Sequence, residues 1–176
     1  MMTESQRLGL AASMIHMLNE AGSWTGRMHI QKLVYLAQCL LGLPSGYDFV
    51  LYQRGPYSFE LDADIRSLRS IGAVDIVRAP YPYGPTYQRS PLGESISKLS
   101  PVEEEMSTRL GKLCALIGPR TAGELELLAT THYVLHEGYE SDRDIVQRVG
   151  SLKPQFSEDQ ITKALEEARA LEKQFT

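Results

Sequence analysis

Cysteine is scarce in this chain of 176 residues: Cys39 and Cys114 lie far apart and outside any Cys-x-x-Cys spacing. That pattern excludes a disulfide framework and a zinc knuckle. Long apolar runs are missing too. None approaches the roughly 20 residues of a spanning helix, and the opening Met-Met-Thr-Glu-Ser-Gln-Arg lacks the apolar core of a signal peptide. The expectation is a soluble, cytoplasmic protein in a reducing compartment, with no membrane partner. There is no excess of positive charge: 18 Lys+Arg stand against 22 Asp+Glu, for a net charge of -4. This argues against a dedicated, strongly basic nucleic-acid binder. No GxGxxG, P-loop or nucleophile elbow is present. Gly55-Pro56-Tyr57-Ser58 precedes a helix, but a single glycine cannot form a phosphate-cradling loop. Internal repeats and low-complexity tracts are absent as well.

What is present is ordinary globular composition, 43% hydrophobic and 23% charged, enough for one core and too little for two full-sized domains. Charge steps along the chain. Residues 1–100 hold nine Lys/Arg and eight Asp/Glu, whereas residues 101–176 hold nine and fourteen. No linker composition separates the two parts, so residues 1–176 read as one domain in two lobes. The first is winged-helix-like α/β and the second an acidic helical extension.

Apolar residues recur at helical spacing from Thr3 to Ala21, with Thr3 and Gln6 as a capping box, and again from Gly26 to Leu43. Pro44 stops the second helix. Tyr47–Tyr52 is aromatic and β-branched and reads as a short strand, followed by a turn at Arg54–Tyr57. Ser58 caps a third helix whose buried stripe is Leu61, Ile65, Leu68 and Ile71. Val74–Arg78 and Thr86–Arg89 are two strands around the Pro/Gly-rich turn 79–85. A short helix follows from Ser90-Pro91 to Leu99, with proline at its first position. Ser100 to Glu103 reads as a capping box opening a helix to Ile117; Thr121 with Glu124 and Ser157 with Gln160 open two more, and Ser141 caps another ending near Gly150. The predicted fold class is α+β, mainly helical, with a small β-hairpin.

Catalysis has no support in these residues. His132 and His136 lie four apart on one helix face, a spacing that can share a metal, but Tyr133 stands where a metalloprotease carries Glu and no third ligand is evident. They read as structural or surface histidines. His16 and His29 are isolated. Cys39, among Leu36, Ala37, Leu40 and Leu41, reads as a buried, inert thiol. The expectation is no enzyme, no metal and no cofactor.

Two binding readings compete. Three helices and a hairpin are the order of a winged helix, with Arg66, Arg69, Arg78 and Arg89 as phosphate contacts. Glu60, Asp62 and Asp64 at the start of the third helix, however, would be repelled by a phosphate-lined groove. Asp62 and Arg66 pair more simply within the helix. The alternative is a protein-binding surface made of tyrosines, of which Tyr81 and Tyr83 in the proline-rich turn and Tyr47, Tyr52 and Tyr57 are candidates.

The phrases Ile30-Gln31-Lys32-Leu33-Val34-Tyr35 and Tyr52-Gln53-Arg54-Gly55-Pro56-Tyr57-Ser58-Phe59-Glu60-Leu61, in that order, resemble the YwgA-like proteins and the related Panacea antitoxin domain. Glu126-Leu127-Leu128-Ala129-Thr130-Thr131-His132-Tyr133 and Lys153-Pro154-Gln155-Phe156-Ser157 also look YwgA-like. The similarity to Panacea stops at roughly the end of the third helix, and the C-terminal domain of the DarG antitoxins carries a similar pair of phrases. The resemblance implies a non-enzymatic antitoxin or adaptor that neutralises or presents a partner protein, such as a cognate toxin. By motif position it implies partner-binding roles for Gln31, Lys32, Tyr35, Arg54, Gly55, Pro56 and Tyr57. A plainer reading stands beside it: Gly55-Pro56 sets a fixed turn on which Lys32 and Tyr35 dock, and the motif holds the scaffold. The winged-helix regulator, with its four arginines, is the alternative function.

Overall fold

The computed structural model describes residues 2–78 and 84–176. In chain order the elements are α1 (Glu4–Glu20), α2 (Arg27–Leu41), β1 (Val50–Tyr52), β2 (Gly55–Tyr57), α3 (Phe59–Ser70), β3 (Val74–Val77) and β4 (Thr86–Arg89). The chain continues with α4 (Pro91–Ser97), α5 (Glu104–Ile117), α6 (Ala122–Leu135), α7 (Asp142–Leu152) and α8 (Glu158–Phe175). The fold is α+β and mainly helical. Two antiparallel hairpins, β1–β2 and β3–β4, are its strands among the described residues. No helix there is long and apolar enough to cross a membrane.

Two helices form the axis of the molecule. α2 packs against α1, α3, α5, α6 and α8, and every residue from His29 to Ala37 is buried. α6 is buried in the same way from Leu125 to Thr131 and on through His132. A helix encircled by neighbours has no solvent face, so its polar side chains must find partners inside. Leu33, Val34 and Leu36 of α2, Leu110 and Leu113 of α5 and Leu125 and Leu128 of α6 belong to one continuous cluster, which spans both lobes of the chain. A smaller cluster of Ile145, Val149, Ile161 and Leu165 joins α7 to α8.

The helix starts follow local chemistry. Thr3 with Gln6, Thr121 with Glu124, and Ser157 with Gln160 form complete capping boxes. Gly42 ends α2 in the left-handed conformation. Other expectations need correction. The helix after Ser100 starts at Glu104, with Glu103 at its cap and no side-chain cap bond. Ser100 instead closes the preceding turn, its amide donating to the Ser97 carbonyl. Ile71 is exposed, because the buried stripe ends at Leu68 and the chain turns away at Gly72. Tyr47–Phe49 is not strand: Tyr47 is buried, and its hydroxyl donates to Asp64 Oδ2 at 2.9 Å. The turn lies at Gln53–Arg54, and Gly55–Tyr57 is itself a strand, with Val50 opposite Tyr57 and Tyr52 opposite Gly55.

Candidate functional site

β2 lies over the junction of α2 and α6, and there two polar side chains of α2 hold the hairpin backbone. Gln31 grips the backbone of Ser58 with both ends of its amide. Its Nε2 donates to the Ser58 carbonyl at 2.9 Å, and the Ser58 N–H donates to Oε1 at 2.8 Å. The Ser58 hydroxyl meanwhile accepts from the Leu61 N–H and caps α3. Lys32, fully buried, donates from Nζ to the Pro56 carbonyl at 2.9 Å. Burial lowers its pKa to about 7, with Lys153 and Arg54 adding to the shift and Glu126 opposing it.

A second lysine completes the clamp. Lys153, at the end of α7, donates to the Gln53 carbonyl and to Glu126 Oε1, both at 2.6 Å. Lys153 and Glu126 are both buried, so this is an interior ion pair. Gly55 is the close point, with φ +89°. A β-carbon there would lie 2.6 Å from Thr130 Oγ1 and 3.6 Å from Lys32 Cε, so only glycine fits. Gln31, Lys32, Gly55 and Pro56 are therefore buried and satisfied within the chain, as the scaffold reading of the motif expects.

The outer side of the same hairpin is different. Tyr52 and Phe59 are 47% and 57% exposed, and Val50 beside them is 47% exposed. The rings of Tyr52, Tyr57 and Phe59 contact one another with centroids 5.1–5.6 Å apart. Arg54 is exposed at the turn. Asp62, at the first turn of α3, pairs with Arg27 at 3.1 Å and with Arg66 at 3.4 Å. Tyr57 also hydrogen-bonds to Asp62, and its phenol pKa is raised, by burial first and then by that carboxylate.

Tyr35 belongs to a third environment. Buried against Phe49 and Tyr133, its hydroxyl meets His132 Nδ1 at 2.9 Å and also bonds to Cys39. Burial pushes the phenol far above its ordinary pKa. Cys39 is exposed rather than buried and lines a cleft of about 420 Å³ with Tyr35, Phe49, Tyr133 and His136. Packing around the sulfur nevertheless raises the thiol pKa. His132, 1% exposed, has its pKa lowered to about 4 by burial and then by His136, with Glu172 opposing. His29 is buried as well; its Nε2 donates to the Arg120 carbonyl at 2.7 Å.

Of the arginines of the alternative reading, Arg66 and Arg69 line one shallow pocket with Val74, Asp75 and Ile76, and three of the four already have partners within the chain. Arg66 is paired with Asp62, Arg69 lies over the Tyr87 ring at 6.0 Å, and Arg89 donates to Ser97 Oγ at 3.2 Å. Arg78 is exposed. Asp64, which the winged-helix reading sets in a groove, is buried and takes Arg7 and Tyr47 as partners. Tyr81 and Tyr83 lie outside the described residues.

Sequence reasoning missed Glu126, Lys153, Glu172 and Phe59. Glu126 and Lys153 each open a phrase that resembles the YwgA-like proteins, which was a usable signal. Phe59 stands inside the motif next to the cap Ser58, and Glu172 had no local signal at all. No family model matches the chain, and a search of curated proteins finds no match.

Proposed function

We propose that this chain is a non-catalytic, cytoplasmic protein-binding regulator of the antitoxin or adaptor kind, gripping a partner protein through the outer face of the first hairpin. One observation carries the reading: Tyr52, Tyr57 and Phe59 form an aromatic cluster left in water on a hairpin whose underside is clamped by buried hydrogen bonds. Aromatic rings bury large apolar area with few torsions to freeze, and a rigid mount removes most of the remaining ordering cost. Arg54, exposed at the turn, adds a cation beside the patch, while Arg27 and Arg66 are held by Asp62 at its edge. The antitoxin or adaptor class is supported by the Gln31-Lys32 and Gly55-Pro56-Tyr57 phrases and their resemblance to YwgA-like and Panacea proteins.

The test is affinity capture from the native host, comparing the tagged wild type with a Tyr52→Ser/Phe59→Ser variant, by mass spectrometry and ultraviolet absorbance ratio. The expected result is one protein near one-to-one on the wild type and lost from the variant. Equal retention by both would move the interface elsewhere. Nucleic acid that leaves as salt rises, with no protein partner, would favour the reading built on Arg66, Arg69, Arg78 and Arg89.

A further inference from the structure

We propose that His132, His136 and Glu172 form a zinc site joining the end of α6 to the last turn of α8. The site is separate from the aromatic face and does not depend on it. His132 and His136 lie one turn apart on α6, with ring centroids 4.9 Å apart. Glu172 Oε1 sits 2.5 Å from His136 Nε2 and 3.4 Å from His132 Nε2, and the three ligand atoms lie within 4.8 Å of one another. A tetrahedral ion with bonds of about 2.0–2.1 Å holds its ligand atoms about 3.3 Å apart. The His132–Glu172 pair already has that spacing, and turning the His136 and Glu172 side chains brings the other pairs to it. Both are partly exposed, with side-chain values of 59% and 29%, so they are free to make the adjustment.

The chemistry of the donors points the same way. Two imidazoles and one carboxylate form a borderline set that suits zinc, with the fourth position left for water. His132 is held for the role. Its Nδ1 meets the Tyr35 hydroxyl at 2.9 Å, a contact that fixes the ring. That contact turns Nε2 toward Glu172, so Nε2 is the ring atom that a shared ion would use. Without an ion, one carboxylate oxygen faces two imidazole nitrogens, and only a protonated one attracts it. A zinc ion satisfies all three at once. His136 also lines the cleft beside Tyr35 and Cys39, which provides a route for ion entry.

The test uses the untagged full chain, stripped with chelator, then titrated with zinc ions against a chromophoric competitor. Stoichiometric binding is expected, with a rise in thermal midpoint. His136→Ala and Glu172→Gln, both at partly exposed positions that leave the core intact, should each weaken binding at least tenfold and abolish that rise. Tyr35→Phe, acting through His132, should weaken it about tenfold while keeping the stoichiometry. Cobalt in place of zinc should give the visible bands of a four-coordinate N/O site. Absence of stoichiometric binding, or unchanged affinity in His136→Ala and Glu172→Gln, overturns the proposal. A cobalt–thiolate band that disappears in Cys39→Ser overturns it too, because the ion would then be held by Cys39.

Discussion

Residues 50–59 have two unlike sides, although they are consecutive in the chain. Below, the Gln53, Pro56 and Ser58 carbonyls and the Ser58 amide are each taken by a buried side chain from α2 or the end of α7. Above, three aromatic rings touch only one another and their immediate neighbours, and two of them are about half in water. The underside is expensive to alter because every polar atom removed leaves its partner orphaned in the interior. The upper side is cheaper to alter at Tyr52 and Phe59, whose rings stand about half in water, than at Tyr57, which is partly buried beside Asp62. A position that can change without loss of fold is one that can be given to a partner.

The sharpest way to break this contrast is Lys153→Ala. It leaves the Glu126 carboxylate buried without its cation, and a loss of about 3–5 kcal/mol is expected in denaturant unfolding. Gly55→Ala should rank next, at about 2–3 kcal/mol, because a left-handed residue must then fit a β-carbon against Thr130 and the backbone has to shift.

Lys32 gives a pH-dependent form of the same test. Its folded pKa, about 7, lies below the unfolded value near 10.5, so between those values the unfolded chain holds the extra proton. Stability attributable to this group should therefore rise as pH goes from 7 toward 10, by up to about 1.4 kcal/mol per pH unit, and stay flat below that window. Unfolding midpoints measured across pH 6–9 for the wild type and Lys32→Met will show it; the variant should lose that slope.

The smallest effect belongs to the upper side. Tyr52→Ser with Phe59→Ser removes three half-exposed ring pairs and should cost about 1–2 kcal/mol, from about 0.5 kcal/mol for each pair at the low end of the range. A loss comparable to that of Gly55→Ala would mean the aromatic face is structural, and the contrast would collapse.

Much of the fold was legible because its signals are local. The boxes at Thr3–Gln6, Thr121–Glu124 and Ser157–Gln160 need only four residues each to form. The cap at Ser58 is of the same kind, whereas α2 ends at left-handed Gly42 and does not run on to Leu43 before Pro44. Expectations failed where a distant contact decided the outcome. Ile71 has the right spacing for the stripe, but α3 ends at Ser70 and Ile71, its C-cap, faces solvent just before the turn at Gly72. Tyr47 looks like a strand residue by type, yet Asp64 on α3 takes its hydroxyl. Cys39 sits among apolar neighbours in sequence and still faces a cleft, since α2 is uncovered at that one point.

The sequence by itself determined most of the helix starts and the mainly helical class, since those follow from backbone conformation and from side chains within a few residues. Only the tertiary structure decided which motif residues face inward. Gln31 and Lys32 read equally as partner-binding residues or as scaffold until α2 is surrounded, and Glu126, Lys153 and Glu172 acquire partners only when α6, α7 and α8 pack. Burial and pairing depend on helices separated by up to a hundred residues of chain, and no local pattern encodes that distance.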